Sequence, residues 1–221
     1  NLYLPKLVKA GLRVAVCDQL EDPKKTKKIV KRGVTEIITP GLATVDGVIN
    51  PKSNNFLASL HFAGTVGLSL LDISTGEFLI AEGDIEYTAK LLDNFSPNEV
   101  LITKENKKHF VNSYGDSFNL FFLDEWVFNL DYANDLLKKQ FETSSLKGFG
   151  IYDLNNGIIS SSAIMHYLNE TQHERLNHIT SIKRIPKEGH VWLDRFTIRN
   201  LELFRPNSVE GKCLIDVIDR T

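Results

Sequence analysis

The chain has 221 residues, 42% hydrophobic and 24% charged, the balance of a globular protein that can bury a core of its own. A formal net charge of −2 excludes a polycation that coats nucleic acid as a whole, so any phosphate contact must come from a local patch. No run of about 18 apolar residues occurs, which excludes a helical membrane span, and the opening NLYLPKLVKA does not read as a secretory leader.

Leu2, Leu4, Leu7 and Val8 recur at helical spacing, and Gly11 suits the left-handed position that ends such a helix. Residues 13–17 predict a strand. Residues 22–33, DPKKTKKIVKRG, then carry six Lys or Arg in twelve positions. Residues 34–39 predict a second strand, stopped by Pro40-Gly41. This first unit is too small to fold alone and needs partner strands from a preceding segment. Residues 42–55 mix Gly, Asp, Asn, Pro, Lys and Ser with little periodicity and predict a linker.

The stretch that follows, FLASLHFAGTVGLSLLDISTGEFLIAE, divides into three short apolar runs. Ala63-Gly64-Thr65 separates the first two. Ser74-Thr75-Gly76 separates the last two, with Gly where a positive φ is needed. The middle run is nearly continuous Val, Leu and Ile, as in a strand covered on both faces. An antiparallel meander is predicted. Then come a helix over 85–95 with Tyr87, Leu91, Leu92 and Phe95 on one stripe, a strand over 99–103, a helix over 104–114 anchored by Phe110 and Val111, and a strand over 119–123. Trp126, Phe128 and Leu130 open a helical region reaching Phe141. Residues 146–154 predict a loop with a short extended piece. A helix over 157–172 turns Ile158, Ile159, Ala163, Ile164, Tyr167 and Leu168 inward, and Ser160, Ser161 and Ser162 suit close packing on a strand. Residues 178–186 read as extended and leading away, followed by short helices over 192–204 and 209–218. The order predicts an α/β domain: a mixed sheet with an antiparallel meander and helices on both faces.

The motifs LDISTGEF (71–78), EIITPGLATVDG (36–47), LKGFGI (146–151), LNETQ (168–172) and LDRFTIRNLELF (193–204) are collinear and resemble those of the MutS family of DNA mismatch-repair proteins. The resemblance implies the end of a mismatch-recognition domain at 1–41, a linker at 42–55, an RNase H-like connector domain at 56–177 and the start of the lever or core domain at 178–221. The chain begins at Asn1 and ends at Arg220-Thr221 inside a helical pattern, so a piece of a longer protein is expected. For the full-length family the resemblance implies a homodimer that binds mismatched double-stranded DNA, uses ATP and Mg²⁺, and docks MutL. No cofactor is expected within this chain and no catalysis, because the family's nucleotide site lies beyond Thr221. The aromatic wedge of the family sits in a Phe-x-Glu motif. Phe118, Phe121, Phe122 and Phe141 lack Glu two places on, so mismatch reading is expected to reside before Asn1.

Among candidate site residues, Lys24, Lys25, Lys27, Lys28, Lys31 and Arg32 can neutralise DNA phosphate, which would position a duplex without reading its sequence. Asp72 offers the alternative of an RNase H-like metal-dependent nuclease, with Asp124 and Asp153 recruited as further carboxylates. Against it, Asp72 precedes Ser74-Thr75-Gly76, where its carboxylate can cap the turn. His166, His173 and His178 are spaced by seven and five, unsuited to one helical metal face. Gly211-Lys212 mimics the end of a phosphate loop without its earlier glycines and reads as a helix start. Asp135, Lys138, Lys139, Asn169 and Glu170 form the candidate partner-binding surface. Cys17 and Cys213 are expected to be reduced core thiols, consistent with a cytoplasmic setting.

Overall fold

The computed structural model describes residues 3–21, 29–43, 54–171, 176–187, 193, 195–204, 206 and 211–218. A short helix, α1 (Leu4–Lys9), precedes an antiparallel ribbon of β1 (Val14–Gln19) and β2 (Arg32–Ile38). Gly11 follows α1 at φ 79°, the left-handed geometry expected of it. Val14 and Val16 turn toward Val8, Ile38 and Ala43. The same alternation turns Cys17 outward, so it is exposed rather than a core thiol, whereas Cys213 is buried.

The larger unit is a six-stranded sheet in the order β7-β6-β3-β4-β5-β8. Strands β3 (Phe56–Ala63), β4 (Thr65–Asp72) and β5 (Glu77–Gly83) form the meander. Its turns use Gly64 and Gly76, both at φ 73°. Helix α2 (Ile85–Phe95) crosses to β6 (Glu99–Thr103), which lies parallel to β3; α3 (Lys107–Tyr114) leads on to β7 (Leu120–Leu123), parallel to β6. The chain then runs through a 3₁₀ turn (Glu125–Val127) into α4 (Leu130–Gln140), a second 3₁₀ turn (Leu146–Phe149) and the long α5 (Asn155–Glu170). Last come β8 (Lys183–Arg184), α6 (Arg195–Asn200) and α7 (Leu214–Ile218).

Period-2 alternation sorts the sheet into two cores. Leu57, Leu71, Ile80 and Leu101 face α4 and α5. Ala58, Leu60, Leu68, Leu70, Val100 and Ile102 face α2 and α3, meeting Leu91, Leu92 and Phe110. Down the α5 side the residues of β4 shrink in order, from Leu71 to Ser69 to Gly67, opposite Leu57, Ser59 and His61 of β3. Helix α5 follows that taper with its own small residues, Gly157, Ser160 and Ser161, all buried. A Cβ built on Gly67 would lie 2.0 Å from the Asn156 carbonyl carbon, so the helix rests on bare backbone there. Glu82 of β5 completes the fit, its Oε2 accepting the Asn156 and Gly157 N–H groups at 2.9 and 3.2 Å and so capping the helix from the sheet.

Three details differ from expectation for local reasons. The helical region after Trp126 restarts at Leu130, because the Asn129 side chain accepts the Asp131 and Tyr132 N–H groups as a new N-cap. The segment after Ser145 is a 3₁₀ turn, not extended, with Ser145 Oγ accepting the Lys147 N–H at 3.2 Å and Gly150 closing it at φ 68°. Residues 183–184 do not lead away but pair with Leu79 and Ile80 as a short parallel edge strand.

Candidate functional site

The ribbon reaches the sheet domain through the segment that follows β2. Thr39, Pro40, Gly41, Leu42 and Ala43 are all buried, so the segment after β2, with the first two residues of the expected linker, forms a docked strap; residues 44–53 lie outside the described ones. The strap ends on a carboxylate. Glu99, the first residue of β6, is 3% exposed. Its Oε2 accepts the Thr39 hydroxyl at 2.5 Å and the Gly41 N–H at 3.1 Å. Its Oε1 accepts the Tyr167 hydroxyl from α5 at 2.7 Å. Gly41 has no room for a side chain, since a Cβ there would lie 2.9 Å from Glu99 Cβ and 3.0 Å from Leu57 Cδ1.

Further contacts run alongside. The Arg13 guanidinium lies 3.8 Å from the centroid of the Phe121 ring and 5.3 Å from that of Tyr167. The Ile37 N–H donates to the Thr171 carbonyl at 3.2 Å. Asn55 donates from Nδ2 to the Ala43 carbonyl at 3.0 Å and accepts from Asn98 Nδ2 at 2.6 Å. Burial, then the negative charge of Glu99 and the hydrogen bond to it, push the Tyr167 phenol far above its ordinary value. The phenol therefore stays protonated and keeps donating. Hydrogen bonds to a carboxylate are the stronger kind, and a buried carboxylate stripped of its donors is strongly destabilising. The cluster therefore locks two units in one relative position; it presents no nucleophile or base to a substrate.

Two family models divide the chain at this place. MutS domain I matches residues 1–47 and MutS domain II matches residues 55–180. The chain belongs to the MutS family. Similar curated relatives carry the name DNA mismatch repair protein MutS: that of Flavobacterium psychrophilum is 59% identical over all of this chain, that of Flavobacterium johnsoniae 58%, and that of Bacteroides fragilis 52%. The chain spans 26% of the length of each of these relatives. In MutS terms, Thr39 and Gly41 lie in the domain I match, and Glu99 and Tyr167 in the domain II match.

The residues singled out in the sequence fall elsewhere. Lys24, Lys25, Lys27 and Lys28 lie outside the described residues, while Lys31 and Arg32 are exposed at the start of β2. Asp72 is 1% exposed and occupied: Oδ1 accepts the Ser74 N–H and hydroxyl at 2.9 and 2.6 Å, and Oδ2 the Asn55 N–H at 3.1 Å. It caps its turn. Asp124 follows the far end of β7, at the opposite end of the sheet, and Asp153 pairs with Arg184 at 2.9 Å. No group of three His, Cys, Asp or Glu suited to a metal occurs among the described residues. His166 meets Tyr132 and Glu170, and His178 Nε2 donates to the Ile73 carbonyl at 2.7 Å; His173 is outside the described residues. Gly211 and Lys212 precede α7 without regular structure. Asp135, Lys139, Asn169 and Glu170 are exposed and Lys138 half-buried, along the neighbouring helices α4 and α5.

In the sequence Tyr167 stood out only as an inward helix position, and Glu99 only as the first residue of a strand. A glutamate heading the apolar strand EVLIT was the available signal, because a buried carboxylate must find donors. For Asp72 the expected outcome is structural: Asp72→Ala lowers stability by about 1–3 kcal/mol, read by urea unfolding, through three orphaned donors. Hydrolysis of DNA or RNA by the chain with Mg²⁺ or Mn²⁺, abolished by Asp72→Asn, would contradict that role.

Proposed function

We propose that this chain is the part of a DNA mismatch-repair protein that joins the end of the mismatch-recognition domain (1–41) to the connector domain (56–177) and the start of the lever (178–221). The clasp on Glu99 carries this reading, because it ties the strap after β2 to a strand and a helix of the sheet domain at once. The sheet order supports an RNase H-like connector: two parallel strands, β6 and β7, are added beside the first strand of an antiparallel meander, with helices on both faces. The whole protein binds mispaired duplex DNA as a homodimer in the cytoplasm, with ATP and Mg²⁺ held outside this chain. The basic run at 24–32 supplies phosphate contacts. The connector relays the ATPase state to the DNA-binding part and docks MutL. The residues of this chain bind and couple; they perform no chemistry.

The test is whether the strap and the sheet come apart together with Glu99. Glu99→Ala removes the acceptor for three donors, a loss of about 2–3 kcal/mol at the junction. Native-state hydrogen exchange is expected to quicken on the order of 50-fold at the Ile37 and Gly41 amides, while amides in the centre of β4 keep their protection. Unchanged exchange at Ile37 and Gly41 would remove the coupling role.

A further inference from the structure

The outer side of α4 and α5 carries a second arrangement, unrelated to the clasp. Trp126 is 57% exposed, yet its ring is held. It stands edge-to-face with Tyr132 at 5.4 Å and with His166 at 5.1 Å. The Tyr132 hydroxyl lies 2.8 Å from His166 Nδ1, and His166 Nε2 lies 3.4 Å from Glu170 Oε1. The indole is thus a rigid, large aromatic surface facing water, and such a ring loses little conformational freedom when a partner covers it.

Acidic residues predominate in the chain segments that flank it. Residues 109–137 contain Asp116, Asp124, Glu125, Asp131 and Asp135 and no Lys or Arg, and residues 155–170 contain Glu170 and none either. Glu125, Asp131, Asp135 and Glu170 are exposed, while the lysines of α4, Lys138 and Lys139, come only in its last turn, at the end of the helix away from Trp126. An acidic rim repels a phosphate backbone and favours a cation. A planar guanidinium suits an indole better than an ammonium does, because it can stack on the ring while its N–H groups reach carboxylates.

We infer that Trp126, with Tyr132, His166 and Glu170, forms the docking site for an arginine-bearing segment of a partner protein, the guanidinium lying on the indole. This rests on the docking part of the reading above and adds its chemistry: an aromatic anchor with an acidic rim, without the basic contribution of Lys138 and Lys139.

The probe is a labelled hexa-arginine peptide, titrated by fluorescence anisotropy against the 221-residue chain at about 0.15 M salt, where surface charge is well screened. Trp126→Ala, which leaves net charge unchanged, is expected to weaken binding about 3- to 30-fold. Trp126→Phe keeps a ring and is expected to recover part of the loss; it serves as the reporter if the alanine variant misfolds. Glu170→Gln is expected to weaken binding less, and hexa-lysine to bind more weakly than hexa-arginine. Equal affinity for the parent and Trp126→Ala, or no peptide binding at millimolar concentration, overturns the inference. A parallel pull-down on an immobilised MutL-type amino-terminal domain separates the two layers. Retention undiminished by Trp126→Ala overturns this site and leaves docking standing. No retention by a parent chain that binds the peptide removes docking and leaves the arginine site.

Discussion

Gly67→Ala is expected to destabilise the sheet domain by about 3 kcal/mol or more, although it adds one methyl group. That methyl would fall 2.0 Å from both the carbonyl carbon and the oxygen of Asn156 and 2.5 Å from the Gly157 nitrogen. These are backbone atoms of the first turn of α5 and cannot swing aside as a side-chain tip would. Relief requires the helix to lift, which pulls its first turn from the Glu82 carboxylate and loosens Ile158 and Ile164 in the core below. Overpacking of this kind costs about 1–3 kcal/mol where side chains can yield, and more where they cannot. Urea unfolding should show a lower midpoint with an unchanged slope. Gly148→Ala is the matched control: nothing lies within 4 Å of its added carbon, and its stability should be nearly that of the parent.

Leu71→Ala is expected to cost about 2–5 kcal/mol, and Leu70→Ala a similar amount. Both are 0% exposed and neighbours in β4, yet they fill different cores. Leu71 lies opposite Leu57 on the α5 side, and Leu70 packs toward α2 and α3. Paired substitution would open one cavity on each side of the sheet, and any departure from additivity would report coupling through the backbone the two residues share. A loss under about 1 kcal/mol for each, on the same cavity scale, would mean that β4 is not the central strand.

The meander was legible because its punctuation is local. Gly64 and Gly76 each occupy a left-handed turn, and the run between them is mostly apolar because both faces of β4 are covered. The packing of the serine-bearing helix on a strand was legible for the same reason, small residues in register with a helix face. The clasp was not. Glu99 reaches partners 60, 58 and 68 residues away in the chain, and no local pattern reports such a meeting. Asp72 tempted a catalytic reading through its place on a strand, but the Ser74 amide two residues on takes its carboxylate first. Cys17 was misjudged because apolar neighbours in sequence are opposite neighbours on a strand. Trp126 lies in the 3₁₀ turn ahead of the Asn129 cap, which starts α4 after it rather than through it.

The strap after β2 grips Glu99 at the head of β6, an interior strand between β7 and β3. A pull along the axis of β6 would load the sheet lengthwise, and the backbone bonds joining β6 to β3 and β7 would have to slide past one another all at once. Had the strap been fastened to β8 at the rim, the same tug would peel those bonds singly. An attachment at the head of an interior strand therefore resists such a load better than one at the rim would.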